Sequence, residues 1–226
     1  MPRTRTRLQR LIATLAKTPG GPDAGPPRDP WHAILYENVA YLCTDDARQR
    51  AFDTLRRATD LDARALATAP DDLLLTATRH GKLASQRVGN LRECAELFAT
   101  VGDPRKLVDL PLPKARAALK HFPGIGDPGA DRLLLFAGKA PLVVMESNGL
   151  RTLLRLGYGT ETKNYAKSYR SAQAAAATEV PATTAARMEL FRVMRHHGQA
   201  TCRATPNCTV CAVASDCPAR RGGRPD

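Results

Sequence analysis

Phe122-Pro123-Gly124-Ile125-Gly126 lies between two stretches of helical pattern, Lys114 to His121 and Ala130 to Ala137. Two helices joined by a tight turn with two glycines make a hairpin. Glycine permits positive φ and lets a chain run close to another backbone. Amides of the turn and of the helix N-terminus behind it then face outward, where they suit a phosphate. Such contacts position a nucleic-acid backbone without reading bases. Gly124, Ile125 and Gly126 are therefore candidate DNA-binding residues. Taken alone, the motif leaves a plain interhelical turn open.

Outward from the hairpin the pattern stays helical. Leu8, Leu11, Ile12 and Leu15 recur at helical spacing in a basic segment carrying Arg3, Arg5, Arg7, Arg10 and Lys17. Thr18 to Pro30 is rich in Pro and Gly and reads as a linker. Trp31, Ile34, Leu35 and Val39 share one side of the next helix, and Ala51, Leu55 and Ala58 one side of the helix after it. Pro70, Gly81 and Gly102-Asp103-Pro104 punctuate later helices. Ala185 to His197 forms the last one, and Arg220 to Asp226 is a tail expected to be disordered. No strand and no internal repeat emerges. Hydrophobic residues make up 43 % of the chain and aromatic ones 5 %. That suits packed helices, since strands favour β-branched and aromatic residues. The fold class is all-α.

Thirty-four Lys plus Arg against 22 Asp plus Glu give a formal charge of +12. A basic excess of this size points to a polyanion, most often nucleic acid, although Arg-rich composition also follows from a GC-rich genome. No run approaches the ~20 apolar residues of a membrane span. The longest, Leu133 to Met145, is broken by Gly138, Lys139 and Pro141.

Cys202, Cys208, Cys211 and Cys217 are separated by five, two and five residues. Four thiolates so close in sequence suit one metal centre, either zinc or an iron–sulfur cluster. With no apolar signal sequence, the chain is expected in a reducing cytoplasm, where disulfides are disfavoured. His196 and His197 precede the group and are expected in packing or supporting roles. Cys43 and Cys94 are read as small buried residues.

Pro141-Leu142-Val143-Val144-Met145-Glu146-Ser147-Asn148-Gly149-Leu150-Arg151 places an acid at the edge of an apolar stretch, 20 positions after Gly126. In isolation Glu146 reads equally as a helix cap. Together with the hairpin and the cysteines, in this order from Pro30 to Cys217, it resembles the helix-hairpin-helix DNA glycosylases related to endonuclease III. The likeness is to the branch that carries a [4Fe–4S] cluster.

That resemblance implies a two-domain fold with DNA in the cleft between domains, and Glu146 in the place of the family's catalytic aspartate. Cys202, Cys208, Cys211 and Cys217 would be the cluster ligands, with Arg203 as the single basic residue of a loop that meets phosphates. The first cysteine gap is one residue shorter than usual in the family. Glu reaches about 1.5 Å further than Asp, by one extra C–C bond. Bifunctional members carry a Schiff-base lysine two residues after the second hairpin glycine. Here Pro128 stands there, so a monofunctional glycosylase is expected. Lys114, Lys120 and Lys139 are the nearby lysines.

Glu37 lies seven residues after Pro30, the spacing at which the adenine glycosylase acting opposite 8-oxoguanine has its catalytic glutamate. The resemblance makes Glu37 a general acid and Glu146 the carboxylate that stabilises the sugar cation. A salt-bridged helix residue is the alternative for Glu37. Asn148 matches that enzyme's Gly-Asn pair. Tyr41-Leu42 replaces its usual Gln-Gln and reads as an apolar wedge for base extrusion. With the chain ending at Asp226, no extra 8-oxoguanine-reading domain is expected.

The expected protein is a monomeric base-excision repair enzyme of the bacterial nucleoid, bound to double-stranded DNA with a damaged or mispaired base. A bifunctional lyase or a non-catalytic lesion binder is the alternative. Its domains are expected as N-terminal helices over 1–44 joined to 140–226 around the cluster, and a helical barrel over 45–139 with the hairpin.

Overall fold

A computed structural model describes residues 4–18 and 25–222 of the chain. Arg3, residues 19–24 of the linker and the last four residues of the tail lie outside them. The described residues form helices joined by short turns. These are α1 (Arg7–Leu15), α2 (Pro30–Val39), α3 (Asp45–Thr59), α4 (Ala63–Thr68), α5 (Asp71–Thr78), α6 (Ala84–Thr100) and α7 (Pro104–Leu107). They continue as α8 (Leu112–Leu119), α9 (Asp127–Phe136), α10 (Ser147–Arg155), α11 (Tyr165–Glu179), α12 (Thr184–Ala200) and α13 (Pro218–Arg221). Among the described residues the only β pairing is an isolated bridge between Tyr41 and Lys82. No helix among them is long and apolar enough to cross a membrane.

Local chemistry starts most of these helices where they start. Thr6, Asp29, Thr44, Asp62, Asn164 and Thr183 are N-caps whose side chains accept a first-turn amide, satisfying donors the helix cannot use. Thr6 and Gln9 complete a reciprocal capping box. The expected basic N-terminal helix is α1, and Leu8, Leu11, Ile12 and Leu15 are all buried.

The chain divides into two compact units, residues 1–25 with 141–226 and residues 26–140. The sequence division at 44/45 had put α2 with the cysteines. It belongs instead to the hairpin unit, where it packs on α3, α6, α7 and α9. The reason is its apolar face: Trp31, Ile34, Leu35 and Val39 are at most 1 % exposed. Trp31 stacks edge-on against Phe98 at 4.9 Å and donates Nε1–H to the Leu61 carbonyl at 2.7 Å. In the other unit α1, α11 and α10 gather on α12 and neighbouring helices, burying Leu8, Met145, Leu153, Leu190 and Met194 among others.

Three smaller expectations change. Arg220 and Arg221 belong to α13 rather than to a patternless tail. Cys43 is half-buried, whereas Cys94 is fully buried, and burial holds its thiol well above the usual range. Ala58 faces solvent, while Phe52 and Thr59 join Ala51 and Leu55 in the core.

Candidate functional site

In the hairpin unit, α8 and α9 are joined by the turn at residues 120–126. Gly124 has φ +72°, a conformation that other residues adopt only with strain. Gly126 is the N-cap of α9 and offers no side-chain cap, so first-turn amides there have no partner within the helix. Pro128 removes one of those donors. Ile125 points inward, 4 % exposed, anchoring the turn that its neighbours expose. Arg116 holds the two helices together by donating to Asp131 at 2.5 Å.

Asp127 sits at the start of α9, paired with Lys120 at 2.7 Å. This hydrogen bond from Lys120, then its charge, keeps the Asp127 carboxyl below the ordinary range. Lys139 pairs with Asp109. Two of the three lysines near the hairpin are therefore engaged by carboxylates.

Tyr41 and Leu42 follow α2 on an exposed loop, 42 % and 64 % accessible. Lys82 N–H donates to the Tyr41 carbonyl at 2.8 Å, tying this loop to the one before α6. There Leu83 is also exposed, and both Leu42 and Leu83 have left-handed backbones, φ 47° and 60°. The Arg87 guanidinium lies over the Tyr41 ring at 5.0 Å. Large apolar side chains on strained, paired loops are costly in water and suit insertion between bases.

Glu37 is occupied. Its Oε1 pairs with Arg132 of α9 at 2.9 Å and its Oε2 with Arg48 of α3 at 3.5 Å. Both oxygens face guanidinium groups, as in an ion pair between helices.

Glu146 in the other unit is the N-cap of α10. Its Oε1 accepts from Gly149 N–H at 2.7 Å, and its Oε2 from the Asn148 amide at 2.7 Å. A carboxylate at a helix N-terminus is also favoured by the helix dipole. Arg151 continues the chain of contacts, donating to Asn148 Oδ1 at 2.7 Å, to the Gly198 carbonyl at 2.9 Å and to the Cys202 carbonyl at 3.0 Å. Half-buried Glu146 is thereby linked, through two side chains, to the first cysteine. Tyr165 stands nearby, and burial, then the Glu146 charge, raises its hydroxyl pKa.

The four cysteines line one cavity of about 380 Å³, together with Arg155 and His197. Burial pushes the Cys211 thiol up, opposed by the Val213 amide, and the other three cysteines add to the rise. His197 is buried, and its Nε2 lies 3.6 Å from Cys211 Sγ. Burial, then His196, lowers its pKa to about 4. Arg155 donates to Cys202 Sγ at 3.5 Å and to the carbonyls of Arg203 and Ala204. It thus fixes the loop that exposes Arg203. Among the described residues, no three His, Cys, Asp or Glu side chains are placed to hold a metal ion.

Sequence reading missed Asn38 and Arg132. Asn38 is fully buried on α2, and its Nδ2 donates to the hairpin carbonyl of Pro123 at 2.8 Å and to Ile34 at 3.0 Å. A polar residue on the apolar side of α2 was the available signal, since a buried amide must find partners.

In three dimensions the chain resembles endonuclease III in a trapped covalent DNA intermediate, with TM-score 0.72, 17 % identity and coverage of 97 % of this chain and 98 % of that one. For endonuclease III in a non-covalent DNA complex the values are 0.73, 18 %, 97 % and 97 %. For a thermostable thymine-DNA glycosylase they are 0.72, 17 %, 94 % and 94 %. No protein-family model and no curated protein matches the sequence. At these identities the likeness is one of fold: along nearly its whole length, this chain folds as those glycosylases do.

Proposed function

We propose that the protein is a monofunctional base-excision DNA glycosylase acting on duplex DNA with a damaged or mispaired base. The observation that carries this reading is Glu146, fixed as an anion-ready carboxylate by Gly149 and Asn148 at the head of α10, in a chain with the endonuclease III fold. In the reaction the C1′–N bond breaks and its electrons leave with the base. Glu146 stabilises the positive charge growing on the sugar, then takes a proton from the water that adds to C1′, and that proton passes through solvent to the departed base anion. Gly124 and Gly126 offer amides to a phosphate, while Ile125 anchors their turn. Tyr41, Leu42 and Leu83 fill the space of the extruded base. Arg203 meets the backbone beside the cysteine loop, and Asn148 orients Glu146.

Glu37 has a different part in this reading. Clasped by Arg132 and Arg48, it braces α2 and α3 against the hairpin helix, so it is a positioning residue. Pro128 in place of the family's lysine, and the pairing of Lys120 and Lys139, favour hydrolysis without strand cleavage.

Cys202, Cys208, Cys211 and Cys217 would hold a [4Fe–4S] cluster. The four thiols line one shared cavity of about 380 Å³, and such a cluster takes one thiolate at each iron. When bound, it would crosslink the four cysteine positions of this segment.

Base release from labelled duplexes tests the reading, using A opposite 8-oxoguanine, G·T, G·U, thymine glycol, hypoxanthine and alkylated purines, each with and without hot alkali. Strand breaks only after alkali, abolished by Glu146→Gln, are expected. Breaks without alkali would make it a lyase. Unchanged release by Glu146→Gln would remove Glu146 from the chemistry. Lesion binding without any release would leave a damage-binding protein.

A further inference from the structure

A second basic site lies on α3, apart from the hairpin, Glu146 and the cysteines. Arg50, Asp53, Thr54 and Arg57 recur at i, i+3, i+4 and i+7, so they share one helix face. With His80, which follows α5, they line a groove of about 250 Å³. The Thr54 hydroxyl donates to the Arg50 carbonyl at 2.8 Å and accepts from Arg57 Nη2 at 3.1 Å, which fixes one guanidinium along the groove. Asp53 is the only carboxylate in the lining. It accepts from Gln49 at 3.0 Å and pairs with Arg56 at 3.5 Å, so Arg56 offsets its charge. Two guanidiniums and an imidazole remain to face the groove. Guanidinium forks match phosphate oxygens in pairs.

The position matters as much as the charge. His80 directly precedes the loop that carries Leu83 and is bridged to Tyr41, and α3 begins just after Leu42. The segments next to the exposed apolar loops in the chain, His80 before Leu83 and α3 after Leu42, therefore supply the groove lining.

We propose that this groove is a phosphate site, occupied by a backbone phosphate of the duplex flanking the extruded base. This rests on the DNA glycosylase reading and extends the contact surface beyond the hairpin. The residues cannot themselves distinguish a DNA phosphate from free phosphate, so the test has an arm for each.

Affinity of the full-length protein for a duplex with an abasic-site analogue is measured by anisotropy between about 50 and 200 mM salt, where phosphate contacts set the slope. Arg50→Ala/Arg57→Ala should flatten the slope of log K on log salt by about 1, at ~0.9 for the one phosphate. Arg50→Lys/Arg57→Lys should restore it, because the slope counts charges. Arg64→Ala/Lys106→Ala removes two exposed charges outside the groove and should flatten the slope less. Equal flattening by that control, or none by the groove variant, overturns the proposal while leaving the glycosylase reading intact. Wild-type protein that fails to bind DNA overturns both. In the second arm, inorganic phosphate is titrated at constant ionic strength while the His80 ring is followed by NMR. Saturation by millimolar phosphate, with no His80 response to DNA, would assign the groove to the free ion and overturn the proposal.

Discussion

Gly198→Ala tests the closest approach around the proposed catalytic carboxylate. Gly198 lies on α12 where that helix crosses α10, and an added Cβ would meet Asn148 O at 2.5 Å, Asn148 C at 2.8 Å and Asn148 Cβ at 2.9 Å. Two of these three atoms are backbone, so no rotamer change relieves the clash, and the helices must part by nearly 1 Å. Overpacking of this kind costs about 1–3 kcal/mol, with backbone contacts at the upper end. Replacing a helical Gly by Ala returns about 0.5–1 kcal/mol. The net is a destabilisation of about 2 kcal/mol, a fall in Tm of about 4–8 °C for a chain of this size. Asn148 moves with the backbone it clashes against, and Glu146 Oε2 accepts from it at 2.7 Å. A shift near 1 Å in catalytic geometry is worth about 100-fold in rate. Thermal unfolding followed by circular dichroism, and single-turnover base release at saturating DNA, read the two effects separately. Gly89→Ala on α6 is the matched control: its Cβ would meet nothing within 4 Å, so Tm should rise by about 1–4 °C. If Gly198→Ala is as stable and as fast as Gly89→Ala, the close packing of α12 on α10 does not position Glu146.

Two further substitutions probe the hairpin unit. Asn38→Ala leaves the half-buried Pro123 carbonyl without its donor, a loss of about 1–3 kcal/mol. Tm should fall and DNA affinity with it, while unchanged affinity by anisotropy would mean the turn keeps its shape unaided. Asp127→Asn removes an anion from the head of α9, where a phosphate would dock. Because Lys120 keeps the Asp127 carboxyl below its ordinary range, its full charge opposes phosphate at neutral pH. The variant should therefore bind DNA severalfold tighter at low salt, with the gain screened away at high salt. The difference should also vanish as acid protonates the wild-type carboxyl. Equal affinity at low salt and neutral pH would show that Asp127 lies away from the bound phosphate.

What was legible in the sequence was local in the chain. The hairpin spans five consecutive residues, the cysteine group sixteen, and both announce themselves through residue types with few other uses. The helical class followed from apolar spacing, and α1 has the four buried positions its pattern gives. Phase fails over longer distance: Ala58 was placed on the apolar side of α3, yet it is exposed and Thr59 is buried. Thr59 is accommodated because its hydroxyl donates to the Leu55 carbonyl at 2.9 Å, a satisfaction that no periodicity reveals.

The partners of Glu37 show why the rest was hidden. Its spacing from Pro30 was visible, but a carboxylate's role depends on what faces it, and the facing groups come from Arg48, 11 positions on, and Arg132, 95 positions on. The same pairing bears on the domain boundary. α2 contributes Glu37 to Arg132 and Asn38 to Pro123, so adjacent residues of one helix hold both the second hairpin helix and the turn before it. The buried polar contacts of α2, which burial makes expensive to leave unmade, tie it to the hairpin. The sequence places functional groups by their neighbours in the chain, and folding assigns their work by neighbours in space. Glu37 is paired by residues remote in the chain, whereas Glu146 is held by cap partners two and three residues away.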